Sequence, residues 1–397
     1  MARGYRSYRG RRRKSKAFPV IMAVFILLLS LALLYLGLND AIVFSSEGIL
    51  IHNPFAKKEP EPSPSPSPTS KPDLVIESPT PEKTPEPSPT PTPKQSFSLN
   101  AAYLPDISDP VATAGIIQLA DKGVINAVII DMKHDDGTLG YISANQYAVQ
   151  AGANVAEHDA REIVEQFRDA GLYLVARISA FKDNLVPRKV QSTSVKVQSG
   201  VIWLDRDYHG WMNPYLQEAQ DYVSDIAVEL ADMGFDEILL ENCCFPTIGR
   251  PQLIAYGEYE AVSKTETISN FAQDLVQRLA GKNVLLSISL SSSTILEGTD
   301  EALGHDATSL YGIADRIYTD IGTDSEVSST VYDAIYSISR TSLGEPTAKF
   351  VPVIDSPRSY DDPSASENIQ VAIGTFVRRG HGWVIRDRSG LYPPAGW

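Results

Sequence analysis

"VINAVIIDMK", Val124 to Lys133, is an almost unbroken apolar, β-branched run that turns polar only at its end, with Asp131 and Lys133. A strand buried on both faces reads this way, because a parallel sheet covered by helices has no solvent face to impose alternation. The pattern recurs in "SLNAAYLP" ending near Leu104, "LYLVARISAF" (Leu172–Phe181), "DEILLE" (Asp236–Glu241) and "NVLLSISL" (Asn283–Leu290). It continues in "DRIYTD" (Asp315–Asp320), "KFVPVID" (Lys349–Asp355) and "GWVIRD" (Gly382–Asp387). Between these runs lie amphipathic segments. "AREIVEQFRDAG" places Ile163, Val164 and Phe167 on one face and stops at Gly171, and "LQEAQDYVSDIAVELADMG" closes at Gly234. Eight β-then-α units in about 300 residues predict an α/β fold, a (β/α)8 TIM-type barrel. A doubly wound sheet fits less well, since no glycine-rich phosphate loop follows the first strand.

In such barrels the active site is built at the C-terminal ends of the strands. Those ends carry Asp131 and Lys133, Arg177, Glu241, Ser289 and Ser291, Asp320, Asp355 and Asp387. A carboxylate in that position often only caps the next helix. Five of eight strands ending in one argues against that origin for all of them.

Ahead of the barrel the chain changes character. Eight basic residues and no acid lie between Arg3 and Lys16, followed by the uncharged "AFPVIMAVFILLLSLALLYLGL", Ala17 to Leu38. Those residues match the ~20 that a bilayer core requires, and a cleaved signal peptide would be shorter and end in small residues. The expectation is a single-pass cell-membrane protein: arm 1–16 in the cytoplasm, anchor 17–38, and everything beyond outside. The stretch 39–94 then reads as a linker, rich in Pro, Ser and Thr from 59 on. Thirteen prolines between Glu59 and Lys94 suit an extended spacer that reaches roughly 110 Å. The domain 95–397 follows. Removing the basic arm leaves 27 basic against 49 acidic residues, a balance of −22. So acidic an exterior excludes nucleic acid as a partner.

No cofactor is implied, and no metal, because the six histidines form no ligand spacing. Cys243 and Cys244 are adjacent and cannot close a loop. Two buried thiols are expected, with a strained ring disulfide as the alternative.

"INAVIIDMKHDDGTLGY", "LVARISAFKD", the "WMNPY" at Trp211–Tyr215, "GFDEI" followed by "FP", and the closing "GHGWVI" resemble the glycoside-hydrolase-like domain of bacterial cell-surface proteins. The resemblance covers most of Ser98 to Trp397. It implies a TIM barrel related to polysaccharide-cleaving enzymes, with polysaccharide or cell-wall glycan as partner. Where that family reads Phe-Asp-Tyr-(Ile/Val)-Arg-Phe-Pro, this chain has "LENCCFP". The acid becomes Glu241, the aromatic Asn242 and the arginine Cys244. A family Ser-Ala-Asp pattern becomes Ser287, Ile288 and Ser289, so one acid is lengthened and another lost.

Glycoside hydrolysis by the usual route needs two carboxyl groups. The candidates are Glu241 with Asp131, Asp320 or Asp355, supported by Lys133 and Arg177, with Asn242 and Ser289 beside them. Trp203, Trp211, Tyr215 and Trp383 are candidate platforms for sugar rings. The alternatives are a barrel that binds glycan without cutting it, or a scaffold module of the envelope.

Overall fold

A computed structural model of the 397-residue chain describes residues 42–45, 48–51, 98–321, 349–356, 363–378 and 380–392, with positions 333, 334 and 336. The chain divides into two units, Met1–Pro85 and Glu86–Trp397. In the first, Ile42–Ser45 pairs antiparallel with Gly48–Ile51. No described helix is long and apolar enough to cross a membrane; the apolar run 17–38 and the proline-rich stretch 59–94 lie outside the described residues.

The second unit is a closed parallel barrel of eight strands. They are β1 (Asn100–Leu104), β2 (Ala127–Lys133), β3 (Tyr173–Ser179), β4 (Glu237–Glu241), β5 (Leu285–Ser289), β6 (Arg316–Asp320), β7 (Phe350–Asp355) and β8 (Trp383–Arg386). Each pairs with its neighbours in sequence, and β8 closes on β1 through Trp383–Asn100, Val384–Ala101 and Ile385–Ala102. The closure is tight: a Cβ on Gly382 would lie 2.1 Å from the Leu99 carbonyl oxygen, so only glycine fits there.

The main helices on the outside are α1 (Pro110–Asp121), α2 (Ala160–Asp169), α3 (Gln217–Met233), α4 (Lys264–Arg278), α5 (Ala307–Ile313) and α6 (Pro363–Val377). Their starts follow local chemistry. Asp109, Asp159, Ser263 and Asp306 each accept from backbone N–H groups of the first turn, satisfying donors the helix cannot. α3 ends where Gly234 takes the left-handed conformation at φ 105°. Helix α2 buries Ala160, Val164 and Phe167 against the barrel, while Ile163 at the edge is half-buried.

Strand alternation produces two cores. Leu99, Ala101, Tyr103, Ala127, Ile129, Val175, Leu239, Tyr318, Val351, Val353 and Val384 fill the barrel interior. The intervening residues pack outward under the helices. Deeper in the barrel Glu237, fully buried, accepts from Ser287 Oγ at 2.6 Å and Tyr318 Oη at 2.8 Å and is ion-paired with Arg316. These hydrogen bonds compensate the desolvation of a charge held between β4, β5 and β6.

The interior side of each strand leads to the rim: Tyr103, Asp131, Arg177, Glu241, Ser289, Asp320, Asp355 and Arg386 continue the inward-facing series at the C-terminal ends.

Candidate active site

Arg177 is the hub of the rim. Its guanidinium, 6% exposed, donates from Nε and Nη2 to Glu241 Oε2 at 2.9 and 2.7 Å. Nη1 donates to Asp131 Oδ1 at 3.1 Å and to the Lys133 carbonyl at 3.1 Å, and Nη2 to Asp135 Oδ1 at 2.5 Å. One planar fork thus gathers three carboxylates from β2, β4 and the turn after β2, an arrangement a lysine could not reproduce.

A second arginine sits across the barrel. Arg386, the last residue of β8, donates from Nε to Asp355 Oδ1 at 2.8 Å and from Nη2 to Asp320 Oδ1 at 2.8 Å; its Nη1 lies 3.7 Å from Glu241 Oε1. Glu241 therefore stands between two guanidiniums, with Asp320 one guanidinium away.

The two acids have different surroundings. Asp320 is reachable, with 53% of its side chain open, and its carboxyl is ion-paired with Arg386. Burial is the largest influence and raises its pKa, Arg386 lowers it by charge and hydrogen bond, and the charges of Glu241 and Asp355 add to burial so that the net direction is upward. Burial would likewise raise Asp135, but Arg177 and Lys182 outweigh it and hold that carboxyl well below the usual range. Lys182 Nζ reaches Asp135 Oδ2 at 3.2 Å, and Asn242 Nδ2 donates to Asp135 Oδ1 at 3.0 Å. Asn242 does this from a left-handed backbone, φ 48°, which asparagine tolerates better than most residues.

Asp131 also accepts from Tyr103 Oη at 2.7 Å, and His134 Nδ1 lies 3.2 Å from its Oδ2. Burial, with the Asp131 charge next, raises the Tyr103 phenol and keeps it a donor. Burial opposes charge on the His134 ring, but the hydrogen bond and charge of Asp131 prevail and raise it.

The structure separates several candidates from this cluster. Lys133 would share the face of Asp131 if β2 were regular. A register shift between Asp131 and Lys133 turns it outward, where its fully buried ammonium donates to the Ser179 carbonyl at 2.7 Å and pairs with Asp183 at 2.9 Å. The turn that follows depends on Gly137, at φ 94°, where a Cβ would lie 2.2 Å from Asp183 Oδ1.

Trp203 and Trp211 are 2% and 5% exposed and spend their indole N–H groups on the Arg250 carbonyl and Asp205 Oδ2. They are core of the long loop after β3. Tyr215 stacks on Tyr259 at 5.3 Å and packs against Phe245 at 4.7 Å, and its hydroxyl donates to the Val262 carbonyl. Trp383 begins β8, so it lies at the end of the barrel opposite the rim, 5% exposed. Ser289 ends β5 beside Tyr318 of β6, at the rim, and Ser291 caps the short helix Ser292–Glu297.

Asp135, His134, Tyr103, Lys182 and Arg386 complete the cluster without having been singled out by strand-end reading. Asp135 and His134 lie in an "HDDG" turn, where the glycine marks the reversal. Arg386 lies one residue before Asp387, whose carboxylate instead accepts from Ser356 and Ser389.

Cys243 and Cys244 are free, buried thiols. Burial pushes Cys244 up to about 12 and Cys243 higher still, which makes both inert. Ellman's reagent on the native protein at neutral pH should therefore label neither; both should react once the protein is unfolded. Prompt labelling of the native protein would contradict their placement. Among the described residues no cluster of His, Cys, Asp and Glu is arranged to hold a metal ion.

A cleft of about 610 Å3 on the barrel flank, lined by Tyr141, Glu229 and Met233 among others, reaches none of the rim residues. A second, of about 480 Å3, shares His134 with the cluster.

A family model described as "Putative glycosyl hydrolase domain" matches residues 104–348. No curated protein matches the chain. Among solved structures, the glycoside hydrolase domain of PgaB (BpsB) from Bordetella bronchiseptica aligns with a TM-score of 0.55 at 11% identity, over 74% of this chain and 95% of that one. The alpha-galactosidase from Lactobacillus brevis aligns with a TM-score of 0.50 at 11% identity, over 76% of this chain and 39% of that one. A hypothetical protein from Ruminiclostridium thermocellum is 26% identical over 48% of this chain and 96% of its own, with a TM-score of 0.44. The first two likenesses show the shared barrel.

Proposed function

Since the chain belongs to this glycosyl hydrolase domain family, we propose that it hydrolyses O-glycosidic bonds of a cell-wall or extracellular polysaccharide, using carboxyl groups at the barrel rim. The observation that carries the reading is the pair of environments around Glu241 and Asp320. Glu241 accepts two hydrogen bonds from Arg177 on one oxygen and faces Arg386 on the other, which suits a group that attacks carbon or takes a proton from water. Asp320 is half-open at the rim with its pKa raised, which suits a group that gives a proton to the leaving oxygen. Asp131 and Asp355 hold the two arginines in place. Ser289 replaces the family's second acid at β5, and Asp320 on the adjacent strand supplies a carboxyl in its stead.

A general acid works only while protonated. The rate should therefore fall as pH rises through the raised Asp320 pKa, and Asp320→Asn should remove that alkaline limb along with roughly 10^2- to 10^4-fold of the rate. The pH–rate profile of wild type and variant checks this. An alkaline limb unchanged in Asp320→Asn would assign the acid elsewhere.

The same proposal puts the barrel outside the cytoplasm, tethered by 17–38 and carried on the spacer 59–94. Protease added to intact cells should release the barrel by cutting within the spacer. Protection of the barrel until the cells are broken would place it inside.

A further inference from the structure

The long loop between β3 and α3, residues 180–216, leaves the barrel at the same end as the carboxylate rim. Within it Leu204 bridges antiparallel to Gly210, and the turn between them carries Tyr208. Tyr208 has φ 64°, in the left-handed region where a turn ordinarily places glycine, asparagine or aspartate. A bulky aromatic there strains the backbone, and packing does not offset the strain. The residue is 76% exposed, the most open of the large hydrophobic residues among those described. Strain kept at an exposed aromatic points to something the ring meets outside the chain.

The turn is nevertheless held firmly. Asp205 Oδ1 accepts from the backbone N–H groups of Asp207 and His209, each at 2.9 Å, and the Asp205 N–H donates to the His209 carbonyl at 2.9 Å. The Tyr208 carbonyl accepts from Arg188 Nη2 at 2.8 Å, and Arg188 Nε donates to Asn184 Oδ1 at 2.7 Å. Asn184 ties the turn to the rim. Its Oδ1 also accepts from the Gly210 N–H at 3.0 Å, and its own N–H donates at 3.1 Å to the carbonyl of Asp136, which follows the Asp135 that Arg177 holds. From the other side Gly249, in the loop after β4, lies so close that a Cβ on it would sit 3.0 Å from the Arg206 backbone nitrogen. A turn braced in this way has its backbone ordered before any ligand arrives. Its aromatic suits a ligand with a flat apolar surface, which on a carbohydrate is the C–H face of a sugar ring. Arg206 and Asp207 precede the tyrosine, their side chains 74% and 60% exposed and 3.8 Å apart. One donates and the other accepts, as sugar hydroxyls require, and their opposite charges favour an uncharged unit.

We infer that the Tyr208 turn is an outlying subsite of the same site, where a neutral sugar unit of the polysaccharide stacks on the ring while another stretch of that chain lies across the rim. The inference rests on the hydrolase reading of the rim and adds a length requirement to it. Chains long enough to reach from the carboxylates to Tyr208 bind better than chains that are not.

The test uses the full-length protein with xylan, laminarin, galactan and peptidoglycan, each as the polymer and as its short oligosaccharides, and measures bound glycan alongside reducing-end release. Tyr208→Asn should weaken binding of the preferred polymer roughly three- to tenfold, the size of one stacked aromatic contact, and the loss should appear in KM more than in kcat. It should shrink as the substrate shortens. Tyr208→Phe, which keeps the ring, should restore the affinity. Asparagine suits the left-handed backbone, so Tyr208→Asn should unfold about 1–3 °C above wild type, and weaker binding then does not come from a damaged fold. A polymer bound as tightly by Tyr208→Asn as by wild type would overturn the inference and leave the hydrolase reading standing. So would a loss equally large on the shortest oligosaccharide, or one that phenylalanine does not restore. Neither binding nor cleavage of any of these glycans would overturn both.

Discussion

Replacing Arg177 with methionine should lower the stability of the barrel by about 3–5 kcal/mol, the range found when one partner of a buried ion pair is removed. The variant leaves Asp131, Asp135 and Glu241 facing one another without the cation that now bonds all three. Methionine fills much of the space, so the loss reports charge more than packing. In a domain of this size a shift in Tm on the order of 10 °C is expected. The effect has a pH signature. The folded Asp135 carboxyl is held below its unfolded value, so its contribution to stability is present above about pH 4 and disappears as pH falls through the folded pKa. The gap between wild type and Arg177→Met should therefore be widest near neutrality and close in acid. Arg177→Lys should recover only part of it, since an ammonium cannot place five donors in one plane. A gap of the same size at every pH would mean that Arg177 matters by volume and not by charge.

Glu241→Gln should cost roughly 10^2- to 10^4-fold in hydrolysis while leaving the fold in place. The amide keeps an oxygen to accept from Arg177 Nε and Nη2, so the geometry at the hub survives. What it loses is the negative charge and the basicity. Unfolding curves of the two proteins should nearly coincide while reducing-end release separates them. A glutamine variant that cuts as fast as wild type would remove Glu241 from the chemistry.

How much of this was legible in the sequence depended on where each residue sits. The barrel could be read because eight buried runs recur with helices between them, and burial on both faces leaves a signal that no single substitution erases. Asp131, Arg177 and Glu241 could be placed because each ends an inward-facing series of alternate residues on a regular strand. Lys133 could not: alternation puts it with Asp131, and the register shift between them reverses its direction. Arg386 went unnoticed for a related reason. Ending β8 one residue later, at Asp387, selects a side chain of the opposite face. Asp135 belongs to a turn, where periodicity carries no information.

The tryptophans mark a further limit. Trp203 and Trp211 lie in a loop long enough to have its own packed interior, and Tyr215 stands in an aromatic cluster with Phe245, Tyr256 and Tyr259. Composition alone does not tell an aromatic that packs a loop from one that receives a sugar. Tyr215 and the indoles of Trp203 and Trp211 are engaged within the protein, so the proposed recognition of a glycan rests on the polar rim. The departures from the family pattern at β4 also acquire a physical sense. Asn242, standing where the family has an aromatic, bonds Asp135, and the two cysteines that follow it are buried.

The measurement that bears most directly on the central claim is the time course of reducing-end formation by the purified full-length protein on a panel of cell-wall and secreted polysaccharides, with bound polysaccharide measured in the same samples. The rim described above predicts that reducing ends accumulate linearly on at least one polysaccharide, at a rate that declines toward alkaline pH. Polysaccharide held by the protein with no new reducing ends at any pH would contradict it, and would make the barrel a glycan-binding module.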